Sequence, residues 1–581
     1  MSLLDQASLV LVPSAYRTGE VLVQKPLPTK FSDETGNYDG NDPQGSANLT
    51  FTRNSNATRV NSDGLVEKVR QNVLLYSNDF SNAAFGKINT SLTGGQADKD
   101  GGTDAWKWAA TSAATAQLTQ TVTVSGNTTV SVYAKAGNRN TFSFWIGAAV
   151  SFDLSSGTVT AGNGKIESVG GGWYRCSAIA SSSYNVFNPF FAASAIDEYI
   201  YIQNAQLEVS DFGPTAYIPT TTSARSTFAG ISVDGTSVPN VPRLDYSGGA
   251  TCGKLLLESQ RTNLALWSEA FDNAGWVKDA LTVTANATIS PDGYQNADLL
   301  TAGSGSQRAY QTYSTSSGID YTISIYAKKG TSDTIKLTMA NVAGGPTFTF
   351  STASFDTVSG WTSGYESLAN GWYRIYATRQ STSTNAGMQI NLPTAGQSVY
   401  VWGAQFEAGS YATSYIPTLG ASVTRLADSA SRTNIANLIG QTEGTFFVDF
   451  EYLDGQSGNN ENWFALESDA GNDRVLFYKG ATVSQRILIQ VNGSNVYQNS
   501  YLAAISAGTR YKLAVRYNSG DIAVYVNGSQ IATDATTYTR TDNLNNITFN
   551  ESVQPLSSRF NQMLVFPEGL TNAQLAELTA L

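Results

Sequence analysis

Residues 205–219 read AQLEVSDFGPTAYIP, and residues 404–417 read AQFEAGSYATSYIP. A repeat of this kind is either one site used twice or one fold built twice, and the flanking sequence favours the second. YSNDFSN at 76–82 returns as WSEAFDN at 267–273, SVYAK at 131–135 as SIYAK at 324–328, and GWYR at 172–175 as GWYR at 371–374, in the same order. Self-similarity at so long a period fixes the architecture before any local structure is read. It gives two copies of one domain, near 70–225 and 259–428, that differ by small insertions belonging in loops.

Within each copy the segments are short, alternate with period two and are bounded by Gly, Asn, Asp and Ser: TTVSVYAKAG, GWYRCSAIA and EYIYIQNAQLE, then YTISIYAKKG, GWYRIYATR and SVYVWGAQFE. That pattern predicts antiparallel β-sandwiches. Alternation turns Val130, Val132, Ala134, Ile323, Ile325 and Ala327 inward and places Tyr133, Lys135, Tyr326 and Lys328 on the opposite face. Residues 429–581 form a different run of strands, with turn signals at Asn492-Gly493 and Asn527-Gly528. The run ends in LTNAQLAELTAL, where Thr571 and Gln574 have the spacing of a capping box ahead of a short helix. The fold class is therefore all-β and multidomain: two tandem jelly-roll sandwiches and a third sandwich. Connectors at 51–69 and 226–258 keep alternating apolar residues, which marks structured joints, and carry hairpin signals at Asp63-Gly64 and Asp234-Gly235.

The bulk numbers agree. A chain of 581 residues exceeds one hydrophobic core. Only 14% of residues are charged, while Gly reaches 52 and Tyr 29, a composition of strands and turns. With 35 basic and 46 acidic residues the net charge is −11 without long runs, which disfavours a nucleic-acid partner. No histidine occurs, which removes imidazole-based triads, zinc ligands and pH switches. Cys176 reads as a small core residue and Cys252 as a loop thiol. No stretch approaches a membrane span, so no membrane insertion is expected, and the opening MSLLDQASLVLVPSAYRTGE lacks the features of a signal peptide.

A sugar site on a sandwich needs flat aromatic faces beside amide, carboxylate or guanidinium groups. The face opposite the core offers Tyr133, Lys135, Trp173, Arg175, Tyr201 and Gln203 in the first copy, and Tyr326, Lys328, Trp372, Arg374, Tyr400 and Trp402 in the second. Gln203 against Trp402 is the difference that would permit different ligands. Repetition is also what packing would require, so both readings stand here. Trp106, Trp145, Trp361 and Trp463 have no counterpart in the other copy, and Trp106 is expected on an exposed loop as a candidate stacking residue. The repeated acids Glu208 and Glu407, with Asp153 and Asp356, make no carboxylate pair suited to glycoside hydrolysis, so no enzyme activity is expected. GNYDGND at 36–42 is the nearest oxygen-rich loop and reads as a solvated turn. No metal ligand and no cofactor is assigned.

FTRNSNATRVNSDGL, NVLLYSNDF, SVYAK, GWYR and AQLEVSDFGPTAYIPT, with their second versions NLALWSEAF, SIYAK, GWYR and AQFEAGSYATSYIPT, resemble the carbohydrate-binding jelly-roll modules of bacteriophage virion appendage proteins. The segment from 429 is similar to concanavalin A-like and laminin-G-like sandwiches through IAVYVNG at 522–528 and LTNAQLAEL. The Trp-His usual ahead of that strand is replaced by Thr509, Arg510, Tyr511 and Lys512. The resemblance implies a non-enzymatic structural protein of a phage particle, a head or tail fibre on the virion surface, assembled in the host cytoplasm. It further implies an anchor to other virion proteins through residues 1–50, a homo-oligomer, and host-surface glycans as ligands. The alternatives are a decoration or scaffold protein without ligand, and a secreted bacterial lectin or polysaccharide depolymerase.

Overall fold

The computed structural model describes residues 3–11, 50–124, 128–180, 186–209, 213–228, 231–234, 241–305, 307–453, 461–479, 485–502, 506–549 and 557–581. Most of the expected anchor, the loop at 36–42 and the Asp234-Gly235 turn lie outside the described residues. The protein is all-β and multidomain, with three sandwiches.

Module one packs a six-stranded sheet on a seven-stranded one. The six-stranded sheet runs in the order Gly164–Gly170, Trp173–Ala180, Thr128–Ala136, Tyr199–Val209, Ala105–Ala110, Thr90–Gln96. Module two repeats it as Thr362–Ser367, Trp372–Gln380, Asp320–Lys329, Ser398–Ala408, Ala297–Ala302, Leu281–Thr288. Val130, Val132, Ala134, Ile323, Ile325 and Ala327 all lie in the two cores, as alternation requires, and Cys176 is buried while Cys252 is exposed.

The AQLE strand breaks the alternation once. A strict period of two cannot turn both Gln203 outward and Ala205 inward; a bulge does so, with Asn204 at φ 55° and its counterpart Gly403 at φ 63°. A Cβ on Gly403 would lie 2.8 Å from the Tyr326 ring, so the second copy needs glycine on steric grounds where the first tolerates Asn204 at a similar torsion.

The duplicated phrase is a polar staple. Asn72 Nδ2 donates to Ala205 O (3.1 Å) and Ile218 O (2.9 Å), and its Oδ1 accepts from Leu207 N at 3.1 Å. Asn263 repeats this on Ala404 O (3.0 Å), Ile416 O (2.8 Å) and Phe406 N (3.0 Å). Gln206 and Gln405 accept from Ile218 N and Ile416 N, each at 2.7 Å. Glu208 and Glu407 accept from Thr215 N and Thr413 N, each at 2.9 Å. Each YIP exit is thereby folded back over the final strand, which satisfies buried polar groups that would otherwise destabilise the sheet.

The third sandwich is assembled from distant parts of the chain. Its eight-stranded sheet takes Arg243–Asp245 and Lys254–Leu257 from the second connector and Leu9–Leu11 from the N-terminus, the last two alongside Ser558–Phe566. Thr50–Thr52 joins the opposing sheet beside Ser429–Arg432. The described part of the expected anchor therefore lies in this sandwich, with Leu9 in its core. Asn492-Gly493 and Asn527-Gly528 turn with positive φ at all four residues, the geometry of type I′ hairpins, and Thr571 and Gln574 close the capping box of the helix Asn572–Thr579.

One buried ion cluster joins the sandwiches. Glu258 accepts from Arg243 (2.7 Å) and Arg425 (2.5 Å), and Asp428 from Arg243 and from Arg53 (3.1 Å). Burial alone would raise the Glu258 carboxyl, but the Arg425 and Arg243 guanidinia, with Ser414, outweigh it and hold it well below the ordinary carboxylate range. Its stabilising contribution is thus complete above the unfolded value of about 4.3 and is lost as pH falls through the depressed folded value. Glu258→Gln should cost about 3–5 kcal/mol at neutral pH and flatten the acid limb of the stability profile, as read by denaturant unfolding at several pH values. Deleting residues 1–11 should lower the Tm of the third sandwich and promote association through the bared Met563–Val565 edge. Calorimetry and light scattering unchanged by the deletion would refute this.

Candidate functional site

The two outer faces differ sharply. In module two, Tyr326, Trp372, Trp402 and Tyr415 form a second small core with Val66 and Ala297. The cover is the connector hairpin Arg59–Val60 and Val66–Glu67, turning at Asp63-Gly64 as expected. Val66 N donates to Pro291 O at 2.9 Å, and Trp372 Nε1 to Ile289 O at 3.1 Å. Lys68 stands 5.0 Å from the Trp402 ring and pairs with Glu269 (2.8 Å) and Asp292 (2.7 Å). Arg374 is buried across Tyr326, its Nη2 donating to Ser324 Oγ at 3.2 Å and to Thr413 O. Only Lys328 and Tyr400 remain half-buried. The expectation of an open face therefore fails for Tyr326, Trp372, Arg374 and Trp402. The Gln203-to-Trp402 difference reports a hairpin docked on one copy, because apolar aromatic area drives that contact.

Among the described residues no such hairpin lies over the face of module one. Two of its candidates are nevertheless buried: Trp173, and Gln203, whose Oε1 accepts from Lys99 N at 2.9 Å. Tyr133 is half-covered by Lys99 at 4.8 Å and Arg175 at 5.3 Å from its ring. The other half of the face is partly open, with Lys135, Tyr199, Tyr201 and Lys107 half-buried beside the buried Trp173. There the sheet register sets Trp173, Lys135, Tyr201 and Lys107 side by side on four consecutive strands. Tyr199 meets Tyr201 edge-on at 5.4 Å, and Lys107 Nζ lies 4.2 Å from the Tyr199 ring. The Tyr201 hydroxyl is held above its ordinary pKa, first by its hydrogen bond to Tyr199 and then by partial burial. Gly170, Gly171 and Gly172 border the row, all at positive φ, and a Cβ at Gly170 would meet nothing within 4 Å.

Trp106 is corrected outright. It sits on the strand Ala105–Ala110, not on a loop, and faces the core, with Nε1 donating to Asn78 O at 2.7 Å and its ring edge-on to Phe80 at 6.5 Å. With Trp106 and Trp108 inward, Lys107 must point outward, a signal that alternation alone could have supplied. The same holds for Tyr199, two residues before Tyr201.

Trp145 is 43% exposed beside Phe190, and the side chain of Trp463 lies outside the described residues. Trp361 helps line a shallow concavity of about 410 Å³ with Phe355, Asp356 and Tyr365, and Arg379 lies 5.6 Å from its ring. A further cavity of about 330 Å³ lies where the hairpin, the second connector, module two and the third sandwich meet. Its charges are compensated internally, with Arg559 reaching Asp245 (2.8 Å), Glu451 (3.3 Å) and Glu366 (3.4 Å). Glu208 and Glu407 are buried in the staples, and burial raises the Glu208 carboxyl despite its Thr215 bonds. Among the described residues no group of three or more His, Cys, Asp or Glu is placed to hold a metal.

No family model matches the chain, and no curated protein matches it. Solved structures similar to part of it include the carbohydrate-binding module of the Ruminococcus gnavus IT-sialidase bound to alpha2,3 sialyllactose, at 14% identity and TM-score 0.22 over 25% of this chain and 86% of that one. Another is domain 4 of the arabinanase AbnA from Geobacillus stearothermophilus in complex with arabinotriose, at 14% identity and TM-score 0.23 over 29% and 85%. A third is the receptor-binding domain of botulinum neurotoxin mosaic serotype C/D, at 12% identity and TM-score 0.22 over 26% and 39%. Likeness of this degree carries no argument about ligand.

The burial difference gives a direct test. Trp402→Ala should destabilise module two by about 3–5 kcal/mol, and Gln203→Ala should cost module one about 1 kcal/mol, as measured by denaturant unfolding. Equal effects would contradict the sealed-core description.

Proposed function

We propose that the chain is a non-enzymatic glycan-binding appendage of a bacteriophage particle, in which module one carries the binding face and module two serves mainly as a structural joint. The observation that carries the reading is the accessible half-face of Tyr201, Tyr199, Lys135 and Lys107, where aromatic rings and hydrogen-bond donors converge on a rigid sheet. Sequence phrases that resemble virion appendage modules supply the context. In this reading the chain sits on the virion surface, residues 1–50 include its contact with other virion proteins, and several copies associate so that weak sugar affinities add through effective concentration.

A scaffold without ligand is the competing reading, and the sealed face of module two favours it there. Tyr201→Ala and Tyr199→Ala in the full chain separate the two. Glycan-array and host-cell binding should fall at least about tenfold, with assembly and Tm unchanged. Wild-type binding by both variants, or absence of any binding by the parent chain, would leave only the scaffold.

A further inference from the structure

The accessible half-face concentrates cations in an acidic protein of net charge −11. Lys135 and Lys107 flank Tyr201 on neighbouring strands, so their backbone positions lie about 10 Å apart, two strand spacings, with the ring between them. Neither lysine makes an ion pair with a described residue. The acids nearby are engaged elsewhere: Asp100 pairs with Lys99 (2.7 Å), Glu198 with Arg139 (2.6 Å), and Asp98 is turned into its own loop, accepting from the backbone of Asp100 and Gly102 (both 2.8 Å) and Asp104 (3.0 Å). In module two the position opposite Tyr400 that matches Lys107 is Leu299, so the second lysine belongs to the accessible copy alone.

We propose that this face selects glycans bearing carboxylate groups on their pyranose rings, one sugar lying against Tyr201 and Tyr199 with its carboxylate held by Lys135 or Lys107. Lys107 rests its ammonium against the Tyr199 ring rather than against a carboxylate, and pairing either half-buried lysine with a ligand carboxylate gives a charge-assisted hydrogen bond of the stronger class. Rings edge-on to one another present a broken platform of the width of one or two sugars. A neutral glycan would use the rings and forgo both lysines. The proposal rests on the glycan-binding reading of the same face.

The test uses the full chain on immobilised polygalacturonate, hyaluronate and polysialic acid, with dextran as neutral polymer and a single-stranded oligonucleotide as polyanion without pyranose rings. Retention on at least one carboxylated polymer, weaker retention on dextran, and a loss of about tenfold or more for Lys107→Leu combined with Lys135→Ala are expected. Lys165→Ala, a pair partner of Glu167 on the edge strand, should change nothing. Raising salt from about 150 to about 500 mM should weaken the carboxylated polymers and leave dextran unchanged. If dextran binds as well as the acids and the double variant is unaffected, charge selection falls while glycan binding stands. If the oligonucleotide binds equally with the same lysine dependence, the face is a general polyanion surface and the proposal is overturned. If no polymer is retained, this proposal and the glycan-binding reading fall together.

Discussion

Burying charge is the constraint on which this architecture turns. Arg53, Arg243, Glu258, Arg425 and Asp428 come from the first connector, the second connector and the end of module two, and every one of them is buried. Burial outweighs the attraction of Asp428 and lowers Arg53 to about 10. Such a cluster gives little net stability over an apolar replacement, yet removing one member leaves the others uncompensated. It therefore acts as a latch: the two connectors and the module-two exit must arrive together or not at all. Once they do, Lys254–Leu257 lies beside Ser558–Phe566 and the hairpin at 59–67 lies over module two.

That docking explains why two copies of one fold have different outer faces. The strands, the bulge and the polar staple are the same in both, so the duplicated sequence specifies the same sandwich twice. What differs is the chain that passes by. Module two meets the hairpin and converts its aromatic band into a core, with Trp402 where module one has Gln203. In module one the loop 97–104 covers Tyr133 and Gln203 and stops short of Tyr201.

Alternation made the inner faces legible in the sequence, because burial on one side of a strand imposes a period of two on the residues themselves. The staple was visible as a repeated phrase, although its cause, the need to satisfy Asn72, Gln206 and Glu208 beneath the returning YIP segment, was not. Outer-face burial was illegible for a different reason. Whether Trp372 and Trp402 are solvated depends on a hairpin more than 300 residues away in the chain, and no local pattern encodes that contact. The same limit hid the pairing of Leu9–Leu11 with Ser558–Phe566. Trp106 was misplaced because its counterpart in the other copy is a polar Asp298, which suggested that no core holds it. Asp298 in fact turns to accept from Phe271 N and Asn286 N, and burial pushes its carboxyl up to about 6.

The electrostatics of a cationic patch on an anionic protein work on two length scales. At physiological ionic strength the field of a charge decays over about 8 Å. The overall charge of −11 is spread over 581 residues, so most of it lies beyond one such length from Tyr201 and contributes little there. Lys135 and Lys107 act within one such length of anything resting on that ring. The net charge then keeps copies of the protein, and similarly charged surfaces, from associating indiscriminately, while in the proposed reading two lysines and two tyrosines govern contact at short range. Selectivity on such a surface depends on where the cations stand relative to the rings, and the strand register fixes that position.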